Sequence, residues 1–143
     1  MSFSIGIYQT KTALNVGCLM RSAYNFGASM VFTIGKRYRH ESSDTVHAFK
    51  NIPLIHFENY DDFIQHLPMD WVPVGIELHA TSENLMTFNH PKRAVYILGA
   101  EDSGLPIETM KLKNLVKIPT KYSINVAVMG SIVMYDRLVK LSK

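Results

Sequence analysis

The sequence predicts an α/β domain, a parallel sheet covered by helices on both faces. Two observations carry this. Short apolar runs rich in β-formers recur along the chain, and stretches with helical spacing separate them, with no repeat or low-complexity segment between. Strands that alternate with helices build parallel sheets, because each crossover lays a helix against one face of the sheet.

The elements follow in order. FSIGIY (3–8) places apolar residues at alternate positions, as a strand does. NVGCLMRSAYNFG (15–27) puts Val16, Leu19, Met20 and Ala23 at helical spacing, with Asn15 as N-cap and Gly27 as C-cap. SMVFTIG (29–35) and IPLIHF (52–57) read as strands. NYDDFIQHL (59–67) is a helix capped by Asn59, with Tyr60, Phe63, Ile64 and Leu67 on one stripe. WVPVGIEL (71–78) and AVYILGA (94–100) are two further strands, PIETMKL (106–112) a short helix and NLVKIP (114–119) the last strand. NVAVMGSIVMYDRLVKL (125–141) closes the chain as a helix that is apolar nearly all round. Such a helix is buried on more than one side, and a symmetric dimer is the common way to cover the second.

Composition bounds the function. A chain of 143 residues, 47% hydrophobic and 19% charged, is one globular domain spanning 1–143. The single cysteine, Cys18, cannot form an internal disulfide. The start MSFSIGIYQTK lacks a basic region followed by a long apolar core, so a cytoplasmic protein away from membranes is expected. A formal charge of +3 and a pI near 9.0 permit a nucleic-acid partner without requiring one. Several chemistries lack their residues. YQTKTALNVG follows the first strand where a dinucleotide fold would carry GxGxxG, and no GxxxxGK[ST] or GxSxG occurs. The six histidines show neither HExxH nor metal-ligand spacing with cysteine, so no metal is expected.

ILGAEDSGLP (97–106) is the densest local signal, with two glycines and two carboxylates in a short turn. Glycine lets backbone approach a ligand, or turn where a side chain would clash. The carboxylates argue against a phosphate cradle and for a neutral or cationic ligand. The turn leaves a strand at its carboxyl end, where ligands bind in parallel sheets. The alternative is an ordinary strand-to-helix turn, with Pro106 opening the next helix.

Three separated stretches together resemble one family. LNVGCLMRSAYNFGA carries an N-x-G-x-x-x-R motif, ILGAEDSGLP an L-G-x-E-x-x-G-L-P motif, and KIPTKYSINVAVMGSIVMYD an I-P-…-S-L-N-V-like motif, in family order. The chain resembles SpoU/TrmH-type SPOUT methyltransferases over essentially its whole length. The resemblance implies RNA ribose 2′-O-methylation with S-adenosylmethionine as cofactor, and a deep trefoil knot in the C-terminal part. It implies that the turn with Gly99 and Gly104 wraps the methionine part of the cofactor. Ile118 would offer main-chain groups to the adenine, Ser123, Ile124 and Asn125 would line the knot loop, and Leu78 would form part of the wall. Read locally, Ile118 and Ile124 are equally core residues, and Ser123 or Asn125 a helix N-cap. Two departures touch this pocket: IPTKYS (118–123) is shorter than the usual loop, and Ala127 stands where relatives often carry serine.

By the same resemblance Arg21 is the catalytic residue, with Asn15 holding the loop that presents it. Glu101 either ties the turn or reaches toward the substrate. Arginine stays protonated, which favours an electrostatic role: gripping the phosphate and stabilising the developing alkoxide. GKRYRHESSDTVHAFK (35–50) offers Lys36, Arg37 and Arg39 as RNA contacts, with Tyr38 to stack; a solvated polar loop is the alternative. Single-domain relatives of this kind usually act on tRNA, and the family also implies a homodimer with the site completed across the interface. A noncatalytic RNA-binding or cofactor-sensing protein of the same fold is the competing function.

Overall fold

The computed structural model describes residues 1–35, 50–100 and 103–142. Among the described residues seven strands form one sheet, and every pairing between them is parallel. They are β1 (Ser2–Tyr8), β2 (Val31–Ile34), β3 (Leu54–Phe57), β4 (Val72–Ile76), β5 (Glu83–Asn84), β6 (Arg93–Gly99) and β7 (Leu115–Lys117). The spatial order is β3-β2-β1-β6-β4-β7-β5. The α-helices among the described residues are α1 (Ala13–Phe26), α2 (Tyr60–Gln65), α3 (Ile107–Met110) and α4 (Val126–Leu141).

Side-chain alternation divides the core. In β6, Ala94, Tyr96 and Leu98 join β1 residues Phe3, Ile5 and Ile7 beneath α1 and α4. The intervening Val95 and Ile97 face the other side and pack with Phe32, Ile34, Phe57, Phe63 of α2 and Met110 of α3. Gly6 makes room for this second layer: a Cβ there would come within 2.3 Å of Phe32. The layers expected from sequence are therefore present, with helices on both faces.

Local chemistry explains the element ends, with one correction. Thr12, not Asn15, is the N-cap of α1; its hydroxyl accepts the Asn15 N–H, and Asn15 is buried in the first turn. Gly27 ends α1 in the left-handed region at φ 83, and its N–H reaches the Ala23 and Tyr24 carbonyls. Asn59 caps α2 by accepting the Asp62 N–H at 2.8 Å. Asn125 caps α4, accepting from the Ala127 and Val128 N–H groups at 2.9 and 3.2 Å. The two-residue β5 and the 3-10 turn at Leu85–Thr87 were not expected, because so short a strand shows no periodicity.

Candidate active site

A cavity of about 560 Å³ opens at the carboxyl ends of β4, β6 and β7. Parallel sheets bind ligands at this end, and the volume suits a small-molecule cofactor. Leu78, Gly99, Gly104, Ile118, Ser123 and Ile124, all named from the sequence, line it together although they come from three separate segments.

The 97–106 turn holds its shape through contacts that only glycine permits. Gly104 donates its N–H to the Ala100 carbonyl at 2.9 Å, and the two residues form an isolated antiparallel bridge. A Cβ on Gly99 would lie 2.7 Å from the Gly104 carbonyl carbon. Gly104 has φ +63, and a Cβ there would lie 2.4 Å from Glu77 Oε2. The segment is thus a strand-to-helix turn leading through Pro106 into α3, and also a cavity wall. The two readings of the ten-residue stretch are compatible.

Glu77, one residue past β4, is the site residue that sequence reasoning missed. Its Oε2 accepts the Leu105 N–H at 2.6 Å and its Oε1 accepts the Leu78 N–H at 3.1 Å. One carboxylate thereby joins the end of β4 to the far side of the glycine turn. The signal was its place at the end of a strand pointing into the ligand-binding edge. Among the described side chains lining the cavity, Glu77 and Glu108 are carboxylates and none is lysine or arginine. The remaining walls are largely apolar, with Ile76, Leu105, Ile107, Ile118, Ile124 and Met129 contributing.

The 118–125 loop forms the facing wall. The Thr120 hydroxyl donates to the Tyr122 carbonyl at 2.8 Å, and the Thr120 N–H to the Ile118 carbonyl at 2.8 Å. Asn125 does not line the cavity. Besides capping α4, it donates from Nδ2 to Asn15 Oδ1 at 3.0 Å, tying the loop to α1. Asn15 is thus a buried strut between the two motif segments. Arg21 lies on the exposed face of α1, away from the cavity lining, and among the described residues nothing pairs with its guanidinium. Glu101, Lys36, Arg37 and Arg39 lie outside the described residues.

A second polar cluster occupies the opposite end of the sheet. His90, whose side chain is fully buried, contacts Asp136 Oδ2 through Nε2 at 2.7 Å and the Tyr96 hydroxyl through Nδ1 at 2.6 Å. A carboxylate can only accept, so Nε2 carries the proton and Nδ1 accepts from Tyr96, a tautomer assigned from its partners. Arg137 donates to the Tyr96 hydroxyl at 3.1 Å and to the Pro91, Lys92 and Ser2 carbonyls at 2.7, 2.8 and 3.4 Å. Burial holds the His90 imidazole below its ordinary pKa, against the hydrogen bond and charge of Asp136. Burial also pushes the Tyr96 phenol up to about 12, with Arg137 opposing. The cluster satisfies its own groups and ties α4 to the start of β1 and to the segment before β6.

Among the described residues no group of three or more His, Cys, Asp or Glu side chains could hold a metal ion, and no helix is long and apolar enough to cross a membrane.

Among proteins of curated function none matches the sequence significantly. Solved structures share the fold. One, concerned with the 2-OH methylation of C/U34 on tRNA, is 20% identical with a TM-score of 0.86, over 99% of this chain and 97% of its own. An AdoMet-bound rRNA methyltransferase from Sinorhizobium meliloti is 24% identical with a TM-score of 0.86, over 98% of this chain and 57% of its own. The A. aeolicus TrmH/SpoU tRNA modifying enzyme is 18% identical with a TM-score of 0.86, over 99% of this chain and 76% of its own. A family model described as the SpoU rRNA Methylase family matches residues 2–135, nearly the full length, and the chain belongs to that family.

Proposed function

We propose that this chain is an S-adenosylmethionine-dependent RNA ribose 2′-O-methyltransferase that acts on tRNA in the cytoplasm as a homodimer. The observation that carries the reading is the convergence of the glycine turn, the end of β4 and the 118–125 loop on one cavity. The lining fits the cofactor: apolar walls suit an adenine, and described lining residues with two carboxylates and no lysine or arginine suit a cation. Gly99, Gly104, Leu78, Ile118, Ser123 and Ile124 hold the cofactor, which supplies an activated methyl group when bound. Asn125 acts one step back, bracing the loop against Asn15.

Arg21 binds the RNA phosphate beside the target ribose and stabilises the 2′-oxygen as its proton leaves. A guanidinium that pairs with nothing among the described residues is available for that role, and its planar fork matches a phosphate. Arg21 lies off its own chain's cavity, and α4 exposes Val128, Ile132, Tyr135 and Val139 at spacings of four, three and four. Both features support a dimer in which one protomer's Arg21 serves its partner's cavity. The tRNA assignment is supported by the neighbour concerned with C/U34 on tRNA, which this chain matches over nearly the whole of both lengths. Lys36, Arg37 and Arg39 extend the RNA contact, and Glu101 serves the site by tying the turn or by reaching toward the substrate.

The test is incubation of the protein with methyl-labelled cofactor and total RNA, followed by nucleoside analysis. The expected product is a 2′-O-methylated nucleoside in the tRNA fraction. Cofactor binding without label in any RNA would favour the noncatalytic reading. Light scattering at micromolar concentration should report twice the 16.2 kDa chain mass, and a monomer there would overturn the dimer.

A further inference from the structure

We propose that Glu77 reads the charge of the cofactor, so that the cavity favours the sulfonium form over the neutral thioether left after methyl transfer. The inference rests on the cofactor reading above and adds what the cavity does between one turnover and the next.

S-Adenosylmethionine carries a sulfonium, an ammonium and a carboxylate, and therefore one net positive charge. Its demethylated product, S-adenosylhomocysteine, keeps the ammonium and carboxylate and is neutral overall. The two differ by one charge and one methyl group. A fixed carboxylate can discriminate between them by charge without losing the shared adenosine contacts, and a cationic ligand that lacks the methyl separates that effect from methyl packing.

Glu77 is placed for this. Its carboxylate lines the cavity, is partly withdrawn from water, and is held on two sides by the Leu105 and Leu78 N–H groups. Two hydrogen bonds leave acceptor capacity on a group with about four lone-pair sites. Gly104 makes room for the carboxylate in this position, since a Cβ there would lie 2.4 Å from Oε2. Partial burial strengthens its field on a nearby cation relative to a carboxylate in open solvent. No lysine or arginine among the described lining residues offsets that field. A carboxylate already fixed by backbone also needs no reorganisation when the ligand arrives. The consequence is directional: methyl transfer removes the charge that Glu77 favours, so the product is held less tightly than the substrate.

The experiment is calorimetric binding of S-adenosylmethionine, S-adenosylhomocysteine and sinefungin, in which a protonated amine replaces the sulfonium. Wild-type protein should bind both cationic ligands more tightly than the neutral one by about tenfold, the scale of one hydrogen bond to a charged group. Glu77→Gln keeps the shape but removes the charge, and should bring the three affinities close together. Equal weakening of all three would show that Glu77 only supports the wall, and would overturn the inference. Equal wild-type affinity for the neutral and cationic ligands would overturn it without any variant. Failure of well-folded wild-type protein to bind any of the three would instead remove the cofactor reading itself.

Discussion

The two ends of the sheet are built on opposite principles, although the same helix reaches both. At the carboxyl end, backbone touches backbone through Gly99 and Gly104, one carboxylate ties two walls together, and a cavity stays open. At the amino end, Arg137 of α4 supplies donors to three carbonyls and a phenol, and His90 continues the chain of bonds to Asp136. Lys140 adds its ammonium to Asp136 and to the Leu85 and Phe88 carbonyls. The first end leaves groups for a ligand, while the second satisfies its own. Chemistry and stability should therefore separate by position along α4 and by the kind of arginine involved.

The largest effects should come from the two arginines, in opposite observables. Removing Arg137 strips donors from several buried acceptors, each worth about 1–3 kcal/mol when left unpaired. Arg137→Ala should therefore lose about 3 kcal/mol or more in denaturant unfolding, a large share of a typical domain's ~5–15 kcal/mol. The molecules that remain folded should bind cofactor normally. Arg21→Ala should do the reverse, changing stability by less than about 0.5 kcal/mol. Its single-turnover methylation should fall roughly a hundred- to a thousandfold. Arg21→Lys should recover little, because an ammonium cannot reproduce the fork on a phosphate. Comparable methylation by Arg21→Ala and wild type would take Arg21 out of the mechanism.

A smaller effect sharpens the account of the glycine turn. Gly104→Ala must adopt φ +63 with a side chain and also displace Glu77 Oε2, which its Cβ would approach to 2.4 Å. Left-handed backbone alone costs a non-glycine residue roughly 1–2 kcal/mol. Asparagine tolerates that conformation but still carries a Cβ. Gly104→Asn should therefore lose cofactor affinity about as much as Gly104→Ala in calorimetry. Recovery by asparagine would mean that backbone conformation, and not the contact with Glu77, is what the turn requires.

The smallest expected effect is a pH dependence at the sealed end. Burial lowers the His90 pKa below 6.5, so in mild acid the unfolded chain takes up a proton that the native state resists. A protonated ring would also turn Nδ1 into a donor facing a hydroxyl that already receives Arg137. The contribution is complete above about pH 6.5 and is lost as the pH falls below it. Melting temperatures measured from about pH 7.5 down to 5.5 should decline more steeply for wild type than for His90→Gln. Parallel curves would place the acid sensitivity elsewhere.

Much of this was legible in the chain, for reasons particular residues make plain. Val16, Leu19, Met20 and Ala23 repeat at helical spacing, and all four are fully buried. The alternation in β6 sends its residues into two separate core layers. Gly99 and Gly104 stood out because glycine pairs in a turn are costly unless the geometry needs them. Arg137 and His90 were not legible as partners. Arg137 sits in an apolar helix with no local sign of burial, and its acceptors lie 41 to 135 residues away. Asn15 shows the same limit at short range: it fits an N-cap, yet Thr12 supplies the hydroxyl because the helix begins earlier.

Local pattern along the chain is enough for the alternation of strands and helices, the two-sided core and the three segments that carry the family's motifs. These depend on periodicity and on residues within one turn or strand of each other. It takes the folded chain to bring those segments to a single cavity, to join two of its walls through Glu77, and to carry Asn125 to Asn15 across 110 positions. The trefoil knot that family membership implies would be a property of the same long-range kind. Threading is a relation between distant parts of a chain, and no local pattern encodes it.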